Sequence, residues 1–284
     1  MSRLIVNGVE VDLEKIAKET KGKSKNTETR ERREVFSGDA LEISQLSADI
    51  DIQPSKKDEI TIIATGPADI VNQLEISKSE GTVYVSGRAN DNNITITQNV
   101  NFGNNRGHIG NVITGNAGSI GRFGGVTVIS GDDVIINTGG DNDAKLSLKI
   151  TAPLYTELSF SGTTGDIMIG DLQADVNLDL SGQNFVQIVT VRHLDLDSSG
   201  QCEVIAEEIT GSANLDISGN AKIELRKGYV EKLAVDASGM GKVDARITAK
   251  RANLNASGMC NIYVKEVTGR CHKRSSGMSR ISVG

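Results

Sequence analysis

The sequence predicts an all-β protein built as a parallel β-solenoid, and three observations support this. From Ser161 onward a Ser-Gly pair occurs seven times at spacings of 20, 18, 19, 20, 19 and 19 residues, and a fixed period of this length is typical of stacked repeats. The stretch before each pair alternates apolar with other residues, as a β-strand does. A unit of this size gains a core only by stacking on its neighbours. The pairs are Ser161-Gly162, Ser181-Gly182, Ser199-Gly200, Ser218-Gly219, Ser238-Gly239, Ser257-Gly258 and Ser276-Gly277.

One apolar column runs through six units and indicates which residues face the core. It consists of Leu158, Leu178, Leu196, Leu215, Val235 and Leu254. A second alternating pair, such as Val204 with Ala206, follows each Ser-Gly, so each unit is predicted to hold about three short strands. The seven glycines are expected to stack at one corner with positive φ, where a residue with a Cβ is strained. We expect about seven regular coils of ~19 residues within residues 144–284.

An all-β sandwich is the alternative fold, because regularly spaced short strands also indicate a sandwich. Sandwich strands vary in length and are joined by unlike turns, whereas here one residue type recurs at one phase from Ser161 to Ser276. The solenoid is therefore favoured.

Composition excludes several classes of protein. The chain has 284 residues with 37% hydrophobic and 24% charged content, which is ordinary for a globular protein. Cys202, Cys260 and Cys271 are spaced with the repeats, which indicates reduced thiols rather than a disulfide framework. Residues 1–12 lack a signal-peptide pattern, and no apolar run approaches the ~18 residues of a membrane span. We therefore expect a cytoplasmic protein.

The N-terminal residues 1–13 predict a β-hairpin, because two apolar runs flank Asn7-Gly8, a strong hairpin signal. An isolated hairpin is marginal in water, so it is expected to dock on the solenoid or on another subunit. The predicted interaction residues are Leu4, Val6, Val9 and Val11.

Residues 14–34 are predicted to be a charged tether or a short solvated helix, since they carry eight Lys or Arg and five Glu with almost no apolar residue. The interleaved acids and the net charge of −6 argue against nucleic acid as a partner.

Residues 35–143 predict an irregular β-rich region. Short alternating stretches occur up to residue 87, and residues 90–143 are rich in Asn and Gly. We interpret that segment as irregular coils or a surface insertion. One hypothesis for function places a carbohydrate-active site in it.

Four features of the chain match a known family. They are Phe36-Ser37-Gly38, residues 74–85, residues 146–154 and the repeated Leu-Asp-Leu-Ser-Gly units. Together they resemble the "putative auto-transporter adhesin, head GIN domain" family over roughly residues 35–90 and 144–284. The resemblance implies a right-handed parallel β-helix, a bacterial protein that is exported or lipid-anchored, and no established catalytic activity. The hairpin, the tether and the Asn/Gly-rich segment are additions to that pattern.

No catalytic residue, cofactor or zinc site is predicted. The coils vary by only a residue or two, which leaves no long loops to wall a substrate groove. His108, His193 and His272 lie in different repeat phases, and Cys271-His272 has no second ligand pair at zinc-binding spacing.

An outward column of carboxylates gives one hypothesis for a site. Asp179, Asp197, Asp216 and Asp236 occupy one repeat position and are followed by Asn255. Stacked coils lie ~4.8 Å apart, so a ladder of like charges is expected. It serves solubility, or it binds a divalent cation or a cationic partner weakly.

The last unit replaces its apolar column with charge. Lys273 and Ser275 stand where other units have apolar residues, and Arg274 lies between them. Charge at a strand edge blocks uncontrolled stacking, so Lys273 and Arg274 are predicted interaction residues of a specific contact. Our first hypothesis is a non-enzymatic structural or interaction protein that assembles with itself or a protein partner. The alternatives are a bacterial surface adhesin or ligand-binding module, and a carbohydrate-active β-helix enzyme.

Overall fold

A computed structural model describes residues 28–87 and 145–284, together with four short strands outside them. Apart from one short helix, the described elements are all strands, which confirms the all-β prediction. In chain order they are β1 (Arg3–Val6), β2 (Val9–Asp12), β3 (Thr29–Phe36), β4 (Ala40–Ser44), β5 (Asp49–Ser55), β6 (Ile60–Pro67), helix α1 (Ala68–Gln73), β7 (Glu75–Ser79), β8 (Thr82–Ser86), β9 (Asn93–Ile94), β10 (Gly115–Asn116), β11 (Ser147–Pro153), β12 (Glu157–Ser161), β13 (Gly165–Leu180), β14 (Gln183–Ser198), β15 (Gln201–Ile217), β16 (Asn220–Ala237), β17 (Lys242–Ala256), β18 (Asn261–Val267), β19 (Cys271–Ser275) and β20 (Arg280–Val283).

The regular part is a parallel β-solenoid in which β13 to β17 each form one coil. Each coil has two flat sides. We call the side at Val176–Leu180 and its aligned residues the Leu side, and the side at Ile167–Ile169 and its aligned residues the Ile side. Each coil is one long strand rather than the three short strands that we predicted, because the ladder shifts register at the corner, as between Asp171 and Ala174, instead of breaking at a loop.

The predicted inward column forms the core of the Leu side. Leu178, Leu196, Leu215, Val235 and Leu254 lie opposite one another on successive coils and are at most 1% exposed. On the Ile side, the second alternating pair of each coil is buried as predicted, for example Val204 with Ala206.

The first unit is displaced by two residues from the predicted alignment. Phe160, not Leu158, lies opposite Leu178, and Leu158 lies opposite Val176. Ser161 therefore faces Asp179, outside the corner. In the regular coils, a corner residue donates a backbone hydrogen bond to the preceding coil. In the first unit the N–H of Thr164 makes this bond, to the carbonyl oxygen of Leu46. Leu158 is nevertheless buried, in the neighbouring inward column.

The Ser-Gly corner stacks as predicted from Gly182 onward, but mostly for a different physical reason. Among the seven glycines, φ is positive only at Gly162, Gly258 and Gly277. In the middle coils the constraint is close approach: a Cβ on Gly219 would lie 2.1 Å from the carbonyl oxygen of Gly200. That oxygen also accepts a hydrogen bond from the backbone N–H of Asn220.

Residues 28–87 belong to the same solenoid as residues 145–284. Strand β4 lies between β8 and β12 on the Leu side, and β5 lies between β11 and β13 on the Ile side. All of these contacts are parallel, so strands from both sides of the predicted boundary at residue 144 alternate within one sheet.

The N-terminal end of the solenoid closes with antiparallel strands. Strand β7 pairs antiparallel with β8 on the Leu side, while β6 pairs antiparallel with β11, and β3 with β6, on the Ile side. Helix α1 lies at this end and buries Val71 in the core. Residues 29–34, which we predicted to be part of the charged tether, form most of β3 instead, because their backbone pairs antiparallel with β6.

The N-terminal strands form a separate two-stranded antiparallel sheet. Its register places Leu4 opposite Val11 and Val6 opposite Val9, which agrees with the predicted hairpin. Residues 13–27 and most of residues 90–143 lie outside the described residues, so the remaining tether and the nature of the Asn/Gly-rich segment stay predictions.

Candidate interaction surfaces

The C-terminal end of the solenoid is an open edge within the described part of the chain. Strand β19 pairs only with β17 and β20 only with β18. The N–H groups of Arg280 and Gly284 donate to β18, at Cys260 and Val264. Backbone groups alternate along a strand, so those of Ile281 and Val283 point away from the solenoid. These groups form an unpaired edge that accepts another strand.

The two halves of this edge differ in chemistry. On β19 the inward positions are Cys271, Lys273 and Ser275, and the structure places Lys273 directly on Leu254. On β20 the inward positions are Ile281 and Val283, which pack partly buried against the core. The β19 half is therefore guarded by a charge at its centre, whereas the β20 half presents an apolar strand.

This end is strongly cationic. Residues 265–284 contain five Lys or Arg and one Glu, a formal charge of +4. Within residues 28–87 and 145–284, no carboxylate forms an ion pair with any of these five cations, although ion pairs link the earlier coils, as between Lys222 and Glu203. The described carboxylates therefore leave the positive charge of this end unneutralised.

The acidic column lies where we predicted it. Asp179, Asp197, Asp216 and Asp236 face one another on four successive coils and are exposed, and the column continues through Asn255. The column ends at Arg274, a predicted interaction residue, which lies opposite Asn255. Its charge thus changes sign at the open end of the solenoid.

The carboxylates of this column interact unfavourably. The pKa of Asp216 is raised, chiefly because the surrounding protein displaces water from its carboxylate and further because the charges of Asp197 and Asp236 repel its own. Across residues 28–87 and 145–284, no three His, Cys, Asp or Glu side chains converge to hold a metal ion. Weak cation binding would therefore rest on pairs of carboxylates and stays a prediction.

A hydrogen-bonded column on the Leu side involves one of the histidines. Asp175, His193 and Ser212 lie opposite one another on successive coils. His193 Nδ1 lies 2.8 Å from Ser212 Oγ. Both carboxylate oxygens of Asp175 accept hydrogen bonds from Arg192, at 2.8 Å each, and this pairing lowers the pKa of Asp175. The ring of His193 is thus held by Ser212, while Asp175 is committed to Arg192.

The structure reveals a methionine column that the sequence analysis missed. Met240, Met259 and Met278 each follow a Ser-Gly pair, and their N–H groups donate to the glycine carbonyl of the preceding coil. They are 54%, 47% and 77% exposed. In the preceding coils the same position holds Gln183, Gln201 and Asn220. The recurrence of Ser-Gly-Met at 19-residue spacing was the available signal.

Several predicted features cannot be located on this surface. The side chains of Leu4, Val6, Val9 and Val11 and all of His108 lie outside the described residues. His272 is exposed on the outer face of β19, opposite Asn253. The described part of the chain has no helix with the length and apolar character needed to cross a membrane.

Two solved structures are similar to the chain, and the first of them supports the fold. A crystal structure described as a "putative lipid binding protein" from Parabacteroides distasonis shares 16% identity, covers 91% of this chain and 98% of its own, and superposes with a TM-score of 0.51. A "putative adhesin" from Bacteroides fragilis shares 13% identity over 90% of this chain and 97% of its own, with a TM-score of 0.48. At these identities the likeness concerns the fold alone. No curated protein matches the chain.

A family model gives the more specific result. The model described as "Putative auto-transporter adhesin, head GIN domain" matches residues 137–284, just over half of the chain. The matched residues contain all the regular coils and the open C-terminal end. The resemblance predicted from the Leu-Asp-Leu-Ser-Gly units is therefore confirmed. The chain belongs to the head GIN domain family of adhesin-like proteins.

Proposed function

We propose that this chain is a non-enzymatic interaction protein that associates with further copies of itself through the open C-terminal end of its solenoid. The observation that carries the proposal is the difference between the two ends. At the N-terminal end the outermost strands β3 and β7 pair antiparallel with their neighbours and helix α1 buries Val71 in the core, whereas at the C-terminal end β19 and β20 continue the parallel stack and leave its next position open. Strand addition to an exposed edge is a common mode of protein recognition.

Membership of an adhesin-like family supports a role in association. The solenoid supplies a rigid support, because each coil is bonded along its length to the next and shares one continuous core. The guarded β19 half restricts the contact to β20, so association is expected to be specific.

The test removes one hydrogen-bond donor from the open edge. Val283→Pro deletes an N–H that points away from β18, and proline is tolerated at an edge strand. Val283→Thr keeps both the N–H and the branched shape. Sedimentation velocity over a concentration series should show self-association of the parent and of Val283→Thr, and its loss in Val283→Pro. A parent that stays monomeric throughout, or a Val283→Pro variant that associates like the parent, would overturn the proposal.

A second candidate function, a surface adhesin or ligand-binding module, is favoured by the methionine column. Exposed methionines give a soft, adaptable apolar surface, and one similar structure is described as a putative lipid binding protein. The column Met240, Met259 and Met278 would then contact an apolar ligand along one corner. Protease treatment of intact cells tests this candidate, because a protein at the cell surface should be digested while the cells stay intact.

Replacement of all three methionines by glutamine tests this second candidate. The variant copies the amides that occupy the same column at Gln183 and Gln201, so the fold should be retained. Co-sedimentation with phosphatidylcholine vesicles should then fall to background. A parent that does not bind the vesicles, or a variant that binds them equally well, would count against ligand binding by this corner.

A further inference from the structure

We propose that the hairpin β1–β2 of a second copy docks on the open edge of β20, with β2 running parallel to β20. In this arrangement Val9 lies next to Ile281 and Val11 next to Val283. The inference rests on the proposed function and names the segment that fills the open edge. It makes the association head to tail, since the N-terminal segment of one molecule binds the C-terminal end of another.

The backbone pattern of β2 fits this edge. Val6 and Val9 flank a two-residue connection and form the closing pair of the hairpin, so their backbone groups face each other. Alternation then directs the N–H and C=O groups of Glu10 and Asp12 to the free edge of β2. In a parallel pair, the outward groups of two such residues bond to a single residue of the facing strand. That residue is the one aligned with the position between the two. With Val11 aligned on Val283, that residue is Val283, whose own groups point outward.

The residue pattern of β2 also fits. In the parallel register, Val9 extends the buried column that runs through Val243, Ile262 and Ile281, and Val11 extends the column that ends on Val264 and Val283. Glu10 then aligns with Ser282 on the outer face. The two acids of β2, Glu10 and Asp12, meet an end of the solenoid that carries a formal charge of +4. Both the charge and the apolar pattern of β2 therefore match the open edge.

The solenoid already uses the same device at its other end. There β8 adds in parallel to β4, and β7 folds back antiparallel on β8 across the two-residue turn Glu80-Gly81. Strand β7 ends the parallel stack because it runs in the opposite direction to the strands of the coils. The β1–β2 hairpin has the same antiparallel form and the same number of connecting residues, so it would cap the C-terminal end in the same way.

Chain length favours a second copy over the hairpin of the same molecule. On the Ile side ten strand spacings separate β3 from β20, which at ~4.8 Å each is roughly 48 Å. The chain from Asp12 to Thr29 spans at most about 56–61 Å when fully extended, and the root-mean-square span of a flexible chain of that length is only about 21–25 Å. Docking within one molecule would require a nearly straight connection, whereas a neighbouring molecule imposes no such stretch.

Directed disulfide formation tests both the register and the source of the hairpin. All variants carry Cys271→Ser, and the remaining cysteines, Cys202 and Cys260, are buried. One protein carries Glu10→Cys and another carries Ser282→Cys. In the proposed register their Cα atoms lie ~4.8 Å apart, within the range that a disulfide spans. Under mild oxidation, a mixture of the two should form a cross-linked dimer that is absent from either protein alone.

A control variant tests the register. Ile5→Cys lies opposite Glu10 on β1, one strand farther from β20 at roughly 9.6 Å, which is beyond disulfide reach. No cross-link with Ser282→Cys is expected for it. Equal cross-linking by Ile5→Cys and Glu10→Cys, or none by Glu10→Cys, would overturn the inference. A chain with both Glu10→Cys and Ser282→Cys that closes on itself at high dilution would overturn the assignment to a second copy.

Deletion of residues 1–12 separates this inference from the proposed function. The deletion should abolish self-association in sedimentation velocity to the same extent as Val283→Pro. If Val283→Pro abolishes association and the deletion leaves it unchanged, the edge binds another segment and only the hairpin assignment is wrong. If neither variant changes the association, both proposals fail.

Discussion

At the scale of single residues, neighbours along a strand play opposite roles. Leu215 is 1% exposed in the core, while the adjacent Asp216 is exposed in the acidic column. Leu215→Ala should lower the free energy of unfolding by about 2–5 kcal/mol, because it removes buried methyl groups and leaves a cavity. Asp216→Asn should change it by less than about 1 kcal/mol. Urea denaturation measures both, and similar losses in the two variants would contradict the register.

The effect of Asp216→Asn should depend on pH. The pKa of Asp216 is raised on folding, so this acid favours the folded state at low pH, and that contribution is lost as the pH rises through the folded pKa. At pH 7 the carboxylate is charged and repelled, and the amide should be neutral to slightly stabilising. At about pH 3, below the ordinary aspartate pKa of about 3.9, the difference between variant and parent should disappear. A gain that grows as the pH falls would refute repulsion within the column.

The position of a residue in the coil could be predicted well where its type recurs at one repeat position. It was predicted poorly where two different positions carry the same short motif. The inward column was visible because Leu or Val recurs at one phase. Leu158 was misplaced because Ser161-Gly162 imitates the corner motif, although Ser161 lies opposite Asp179 and Phe160 opposite Leu178. Only pairing between coils distinguishes these positions. The column of Met240, Met259 and Met278 was missed although Ser-Gly-Met recurs at 19-residue spacing, because the shared exposure of the three side chains becomes apparent only in the stacked coils.

At the scale of elements, the corner depends on close contact between consecutive coils. Gly219→Ala would place a Cβ 2.1 Å from the Gly200 carbonyl oxygen, whereas a Cβ on Gly241 would meet its nearest atom at 3.5 Å. We expect Gly219→Ala to cost about 1–3 kcal/mol through strain and Gly241→Ala to cost less than about 0.5 kcal/mol. Thermal melting compares the pair, and equal stability would show that the corner tolerates a side chain.

Strand β19 is predicted to guard its own half of the open edge against strand addition, so that association is confined to β20. Lys273 lies on Leu254 at the end of the inward column, and Lys273→Leu would continue that column to the surface. We expect this variant to form elongated aggregates visible by negative-stain electron microscopy. Arg274→Leu changes a neighbouring outward position and should not do so. A Lys273→Leu protein as dispersed as the parent would mean that the β19 edge is covered by other means.

At the scale of the whole molecule, the solenoid is assembled from two separated parts of the chain. Strand β5 is inserted between β11 and β13, which both follow residue 145, and β4 pairs with β12, so each part leaves unpaired ladders when alone. We expect fragments 28–87 and 145–284 to be poorly folded separately and to form a stable complex when coexpressed. Circular dichroism melting checks this, and a fragment 145–284 that melts like the parent would contradict it.

This interleaving could not be predicted from the sequence. The repeats from Ser181 onward reveal contacts between neighbours 18 to 20 residues apart, and those define the regular coils. The pairing of Ile50 with Leu148 joins residues 98 positions apart, and no local pattern encodes it. The open C-terminal end was foreseeable from Lys273, whereas the closed N-terminal end depends on antiparallel pairing between β3, β6 and β11, which the sequence does not show.

The corner glycines allow the length of the solenoid to change in equal steps. Because each coil between Ser181 and Ser276 meets its neighbours through the same corner, removing one whole repeat, such as residues 201–219, would rejoin equivalent surfaces. The rod would then shorten by a single step of ~4.8 Å and keep both ends unchanged. A lineage that gains or loses repeats can therefore set the distance between the two ends of the solenoid in uniform increments, without changing the sequence of either end.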